Sequence, residues 1–485
     1  MGTQLWLQFV ASLAVLTIAR LSWKAIKNVY FHPLSRFPGP MPAAAGSWWN
    51  MIHELLAGKG LSDLLPELHA KYGPVVRVGP NELHFAEPAA YREIYNTNNR
   101  WSKDPFIYHS FGADNASFGY LTVEEAKPRK MILASVFSRK AVIGYLPCIQ
   151  EQVNRFCDIL AQNDRKGHSS NLLFGPRALS LDIITILMFG RSFGAMESPD
   201  FCHSILCSLN DSLPAFSILK FFPSVFQLLE YLPTQFLERF WVSHVGLRRF
   251  QSELMKQVIM VREDPTLLQN ASYPVIFRDL LATDIPLESL YSEAQTLLTG
   301  GIENVSNTTM FALWHLWHDK ELLHQVQNEL QEIWPDPNVF PEIEALENLP
   351  LFTAVVKEAL RLAPGIPYPA TRIIPQTGAV IQTQFIPPGT VVGVSTLMVH
   401  RSTALFREPN TFQPLRWLEP NANELNHHLV AFSKGPRACQ GIKYASSCPR
   451  LSVIFVCSTS NFCLVLLWWS CKPLLLPSSV ASISS

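Results

Sequence analysis

Residues 432–441 read Phe-Ser-Lys-Gly-Pro-Arg-Ala-Cys-Gln-Gly, and no other stretch constrains the chain as strongly. One cysteine stands there among two glycines, a proline, an arginine and an aromatic. A thiolate that binds iron needs to be held rigid, sheltered from water and relieved of part of its charge. Gly435 and Gly441 let backbone amides come close to the sulfur, because glycine has no Cβ to obstruct them. Phe432 can shield it, and Arg437 adds positive charge that favours the thiolate. Average residue frequencies produce Phe, Gly, Arg, Cys and Gly at these offsets by chance in roughly one chain of this length in 10,000. The plainer reading is a tight loop around an incidental buried cysteine, and the rest of the chain decides between the two.

The length of 485 residues allows about three domains. No Gly/Ser linker or long charge block divides residues 60 to 440, so one large domain is equally allowed. Hydrophobic residues make up 48%, ample for a large core. The 39 basic residues balance 39 acidic ones, which argues against nucleic acid as a partner, since phosphate neutralisation needs a basic surface. Nine cysteines without paired spacing do not make a disulfide framework, and no C-x-x-C pair offers a zinc site. The main domain reads as reduced and intracellular.

Leu5 to Ala19 carries no charge and is mostly apolar, and Arg20, Lys24 and Lys27 follow it. Fifteen helical residues span about 22 Å; Leu21 to Trp23 extend the span while Arg20 snorkels. Residues 1–27 are therefore expected to form a single membrane anchor with a basic flank. That flank lies after the apolar run, which by the positive-inside rule places the body of the chain in the cytosol. A cleaved signal peptide is the alternative, but it wants charge before the apolar run and a small-residue cleavage site after it.

Residues 28–45 include the proline-rich Tyr30 to Pro42, which cannot continue a helix and forms a stiff hinge. Leu61 to Lys71 is an amphipathic helix stopped at Gly73-Pro74. A hairpin follows, with strands Val75 to Val78 and Glu82 to Phe85. Glu124 to Ser138 contains Ala126-Lys-Pro-Arg-Lys130, with a helix beginning at or near Pro128. Residues 172 to 260 are helical and strongly apolar. Leu287 to Trp334 is the longest helical run, broken near His318-Asp319. Its centre holds Gly300-Gly301, a pair that costs about 2 kcal/mol relative to alanine and so has a packing or functional reason. Room for a ligand over a flat cofactor is one such reason, and a local widening of the helix is another possibility. Glu358 and Arg361 share a helix face ahead of Phe412-Gln-Pro-Leu-Arg416-Trp417. Between these lie Pro369 to Arg372, a strand from Ile381 to Phe385, a Pro387-Pro-Gly turn and Val391 to Ser395, forming a smaller β region.

Five motifs in this order, over about residues 28 to 445, resemble the cytochrome P450 family, most closely the fungal microsomal enzymes of secondary metabolism that include trichodiene-oxygenase-like members. The resemblance implies a mainly α fold with a smaller β region, a single large haem-thiolate domain over 46–445. Cys439 is then the axial ligand of haem b. Lys130 or Arg129, together with Arg372, His400 and Arg437, hold the haem propionates; a solvated basic helix start is the plain alternative for the first two. Glu358, Arg361 and Arg416 form a buried ionic triad that braces the cysteine loop. Gly300 and Gly301 leave room beside the haem, and Glu303 is the acid of a proton relay. Asn304 replaces the family's threonine, and an amide does not readily pass a proton along. Asn304 could instead order a water, and Ser306 could supply a hydroxyl if the helix deforms.

The implied activity is a monooxygenase that inserts one atom of O2 into a C–H or C=C bond of a small apolar terpenoid or polyketide. NADPH would supply the electrons through NADPH-cytochrome P450 reductase, because the chain has no flavin or nicotinamide fingerprint. The place implied is the endoplasmic reticulum membrane. Asn304 keeps open an isomerase or dehydratase that needs no oxygen activation. Residues 446–485 hold four of the nine cysteines and no acidic residue, and do not read as the family's usual ending. They suggest a frame change, a retained intron or a degenerate C-terminus, and with it an inactive anchored remnant.

Overall fold

The computed structural model describes residues 2–229, 231–269, 273–336 and 341–444; the expected tail at 446–485 lies outside them. The chain separates into two compact units, one of residues 2–104 and 368–399 and the other of 105–367 and 400–444.

The first unit opens with helix α1 (Gly2–Tyr30). Its 29 residues give a length of about 43 Å, so the helix runs on past residue 27 into the expected hinge. Within it, Gln8–Tyr30 has a mean hydropathy of 1.5. Among the described residues this is the one unbroken helix long and apolar enough to cross a membrane. Helix α2 (Leu61–Tyr72) ends at Gly73, as the Gly-Pro pair requires. Strands β1 (Val75–Gly79) and β2 (Glu82–Phe85) then form the expected antiparallel hairpin, with Val75 opposite Phe85. The proline-rich turn packs directly on β1. A Cβ on Gly39 would lie 2.3 Å from the Arg77 carbonyl oxygen, and the Arg77 N–H donates to the Pro38 carbonyl at 2.7 Å.

The later part of this unit adds β3 (Arg372–Ile373), β4 (Ala379–Ile381), β5 (Gln384–Ile386) and β6 (Val391–Gly393). The four-stranded sheet runs β1-β2-β6-β3, with β6 parallel to β2 and antiparallel to β3. The strand expected over Ile381 to Phe385 is instead a hairpin. Gln382 and Thr383 take φ of +48° and +66°, the left-handed geometry of a tight two-residue turn, and β4 folds back on β5. Neither residue is a usual occupant of that turn, which is why the sequence concealed it.

A directional chain of neutral imidazoles locks this unit. The Ser395 N–H donates to His84 Nε2 at 2.8 Å, so the His84 proton is on Nδ1. That nitrogen lies 2.6 Å from His69 Nε2, and His69 Nδ1 completes the chain to the Gly73 carbonyl at 2.7 Å. Each ring donates once and accepts once. Burial pushes the His84 pKa well below 6.5, with His69 adding to the effect.

The second unit carries the large core. Its main helices are α3 (Val123–Val136), α4 (Arg139–Arg165), α5 (Gly175–Phe189), α6 (Ser204–Phe221), α7 (Val242–Glu263), α8 (Leu287–His318), α9 (Lys320–Ile333) and α10 (Pro350–Leu362). Helix α3 starts at Val123, ahead of the expected Pro128. Thr122 and Glu125 form a reciprocal capping box there, which satisfies two N-terminal donors and outweighs the proline within the helix. Helix α5 is buried at all fifteen positions. The break after His318 is as expected, with Asp319 accepting the Leu322 N–H at 3.0 Å as the cap of α9. In the same way Glu329 receives the Leu351 and Phe352 N–H groups at the start of α10, at 2.8 and 2.7 Å. Cys202 and Cys207 are paired as a disulfide, a departure from the fully reduced domain expected.

Keeping His84 neutral contributes stability that is whole above its ordinary value of 6.5 and lost as pH falls below it, because the unfolded chain then binds a proton that the folded chain refuses. Urea unfolding between about pH 5 and 8 should show stability declining on the acid side, with a shallower decline in His84→Leu. Equal slopes in the two proteins would refute this role for His84.

Candidate active site

The site is built on a buried carboxylate. Glu358 and Arg361 share the last turns of α10 and are both fully buried. Arg361 Nε and Nη2 donate to the two Glu358 oxygens at 2.9 and 2.8 Å. Arg416 Nε reaches the same carboxylate at 3.1 Å. Two further donors were not foreseen: the Trp417 indole N–H at 2.9 Å and the Gln413 backbone N–H at 2.9 Å. The remaining arginine donors go to backbone carbonyls, with Arg416 Nη2 also donating to Gln413 Oε1 at 3.3 Å. Arg361 serves those of His400, Pro409 and Thr411, and Arg416 those of Arg407 and Glu408. The three expected members thus come together with every charge hydrogen-bonded, the condition under which buried ions are tolerated.

His400 sits differently from its expected place at a propionate. It is fully buried; its Nδ1 lies 2.9 Å from the Arg361 carbonyl, and its Nε2 accepts the Val430 N–H at 2.9 Å. Both ring nitrogens are therefore committed to backbone, and burial brings its pKa down to about 3. A neutral ring with no donor to spare has nothing to offer an anion. It ties α10 to the residues that lead into the cysteine loop.

That loop closes on itself. The Cys439 N–H donates to the Phe432 carbonyl at 2.9 Å and the Ser433 N–H to the Val430 carbonyl at 2.9 Å. Phe432 packs against the core. Cys439 is a free thiol with an exposed side chain. The crowding around it pushes its pKa up, while the Gly441 N–H and Lys130 pull it down. A Cβ on Gly441 would lie 3.9 Å from the sulfur. Lys130 is therefore a cation that bears on the thiol from outside the loop. Arg437 spans to the segment before α3, donating to the carbonyls of Ser117, Tyr120 and Thr122 at 2.9, 2.7 and 2.6 Å.

The geometry separates Lys130 from Arg129. Lys130 Nζ donates to the Pro436 carbonyl at 2.8 Å and lies 3.4 Å from that of Ala438. Gln440, absent from the sequence reading, returns a bond to the Lys130 carbonyl at 2.7 Å. Arg129 points elsewhere, into a buried pair with Glu293 at 2.9 Å and a bond to Ser289 at 2.8 Å. Arg372 belongs to the sheet unit, where it bonds the carbonyls of Ala370 and Thr371 and lies over the Tyr95 ring; its role toward a cofactor rests on the resemblance.

On α8 the two glycines have opposite reasons. A Cβ on Gly301 would meet Ile184 of α5 at 2.8 Å, whereas a Cβ on Gly300 would meet nothing within 4 Å. One glycine brings helices together and the other keeps a face open. The helix continues through both without the widening considered from sequence. Glu303 pairs with Arg177 of α5 at 2.9 Å, a partner the sequence did not reveal. The Ser306 hydroxyl bonds back to the Glu303 carbonyl at 3.3 Å.

The cytochrome P450 family model matches residues 41–463. This chain belongs to the cytochrome P450 family. The family match passes the residue-445 limit of the sequence resemblance by a short stretch. The chain is 32% identical to the cytochrome P450 monooxygenase flvC of Aspergillus flavus, covering 90% of this chain and 88% of that one. It is also 32% identical to the monooxygenase aflU of Aspergillus parasiticus (88% and 86% covered) and 29% identical to a conidiogenone synthase of Penicillium rubens (90% and 87%). The fold is that of the cytochrome P450s, mostly helical with a small sheet region. The protein is an oxidoreductase of the P450 type, and family membership implies haem with a cysteine thiolate ligand. The residues fit that group: a free thiol, one amide and one cation acting on it, and a side-chain-free helix face in the same unit.

Gly301→Ala should destabilise this P450 by about 1–3 kcal/mol through overlap with Ile184, with partial recovery in the Ile184→Ala background, while Gly300→Ala should stabilise by about 1 kcal/mol. Denaturant unfolding measures both, and equal effects at the two positions would refute the division. By the same measurement Arg416→Leu should cost about 3–5 kcal/mol and Trp417→Phe about 1–3 kcal/mol.

Proposed function

We propose that this cytochrome P450 is a microsomal monooxygenase that hydroxylates or epoxidises a small apolar secondary metabolite of terpenoid or polyketide type. The observation that carries the reading is the free, accessible Cys439 thiol, placed under Lys130 and the Gly441 amide in a loop tied back to Glu358. Haem, when bound, would supply the oxygen-activating chemistry, with a thiolate ligand as its electronic lever. In this assignment Cys439 supplies that ligand through Sγ. Lys130 supplies the cation on the side of α3, and Arg437 a guanidinium on the side of the loop. Gly300 keeps ligand space open along α8. Glu303, held by Arg177, orients water for proton delivery, and the Asn304 amide holds such a water by donating and accepting.

Electrons come from NADPH through a membrane-bound reductase. The anchor is α1, set in the endoplasmic reticulum with the catalytic body on the cytosolic side. Fungal relatives named as P450 monooxygenases, and one named as a conidiogenone synthase, support a small-molecule oxidation. The amide at residue 304 favours a second reading, an isomerase or dehydratase that requires neither reductase nor O2.

A carbon monoxide difference spectrum of the reduced full-length protein should give the red-shifted thiolate band, and Cys439→Ser should abolish it. Its absence from well-expressed wild-type protein rules out both enzyme readings. Substrate-dependent consumption of NADPH and O2 with added reductase then separates the monooxygenase from the isomerase.

A further inference from the structure

Asn304 and Gly365 occupy overlapping space. Gly365 lies just beyond α10, and a Cβ built on it would stand 2.1 Å from Asn304 Oδ1, 2.4 Å from Cγ and 2.8 Å from Cβ. The backbone at Gly365 has no left-handed φ, so its conformation is open to any residue. What bars a side chain there is the presence of Asn304. Asn304 and Gly300 are four residues apart and so share a face of α8. On that face a Cβ at Gly300 would meet nothing within 4 Å. The Asn304 carboxamide is thus backed by the Gly365 loop, and open space lies one helical turn away at Gly300.

We infer that Gly365 is the positioning residue for Asn304: its missing side chain fixes the carboxamide against the loop, clear of the ligand space beside Gly300. The ligand consequence rests on the haem-thiolate reading, while the contact itself does not. A methyl group at residue 365 leaves Asn304 only the room toward Gly300, where its amide crowds any small ligand. The overlap is graded. Truncating Asn304 to alanine removes the clashes at Oδ1 and Cγ but leaves the one at Cβ, and only Asn304→Gly relieves all three.

The test is Gly365→Ala in three backgrounds of the full-length haem-loaded protein: wild type, Asn304→Ala and Asn304→Gly. Imidazole serves as the probe, with its Kd read from the haem absorption shift. Gly365→Ala should weaken imidazole binding by about fivefold or more in wild type, less in Asn304→Ala, and by less than about twofold in Asn304→Gly. An equal change in all three, or no change in wild type, overturns the inference. If Gly365→Ala alone does not fold, the Asn304→Gly/Gly365→Ala double variant should; a double variant that also fails to fold overturns it. Thermal midpoints of the same series measure the contact without haem. A missing thiolate band therefore counts against the functional reading, and additive midpoint shifts count against the Gly365–Asn304 contact.

Discussion

The site depends on one carboxylate. Glu358 is wholly out of contact with water, and a carboxylate there is costly unless its acceptor capacity is filled. Five N–H donors reach its two oxygens: two from Arg361 and one each from Arg416, Trp417 and Gln413. Two guanidinium charges against one carboxylate leave a local positive excess. The carbonyls of residues 400, 407, 408, 409 and 411 absorb it by turning their negative ends inward. The backbone between residues 400 and 417 therefore takes its path from the charges it serves. His400 carries that order onward to Val430, and hence to the start of the cysteine loop.

Two cations stand at the thiol's loop. Arg437 lies two residues from Cys439 in sequence, and its guanidinium reaches three carbonyls of the 117–122 segment. Lys130, distant in sequence, delivers its ammonium to the loop carbonyls and weighs on the sulfur. Glu293 holds the same segment from the other side, through the Ser117 N–H and hydroxyl at 2.8 and 2.6 Å. A short piece of chain ahead of α3 is thus gripped by α8 and by the cysteine loop together. This indirect linkage couples the two elements most concerned with the reaction.

Much of this was legible beforehand because it rests on local patterns. The Gly73 stop, the β1–β2 hairpin and the break at Asp319 follow from local pattern, while the grouping of Glu358 with Arg361 and Arg416 came from the family resemblance. What stayed hidden required partners far away in the chain. The tautomer of His400 is decided by a carbonyl 39 residues away and an amide 30 residues away. The Gly301 contact needs Ile184, and the direction of Arg437 needs three carbonyls more than 300 residues upstream. The hairpin at Gln382-Thr383 was concealed for a different reason, since its residues lack the turn chemistry that marks such sites.

The neutral bridge at His400 also bears on the order in which the molecule is made. Its partners are Arg361 on one side and Val430 on the other, and the Glu358 carboxylate waits for residues 413, 416 and 417. During synthesis every element up to α10 can emerge and collapse while this carboxylate still lacks its second arginine. The surroundings of the cysteine loop are therefore complete only once residues from 358 to 430 have been brought together, so the loop's shape depends on chain far outside the loop itself.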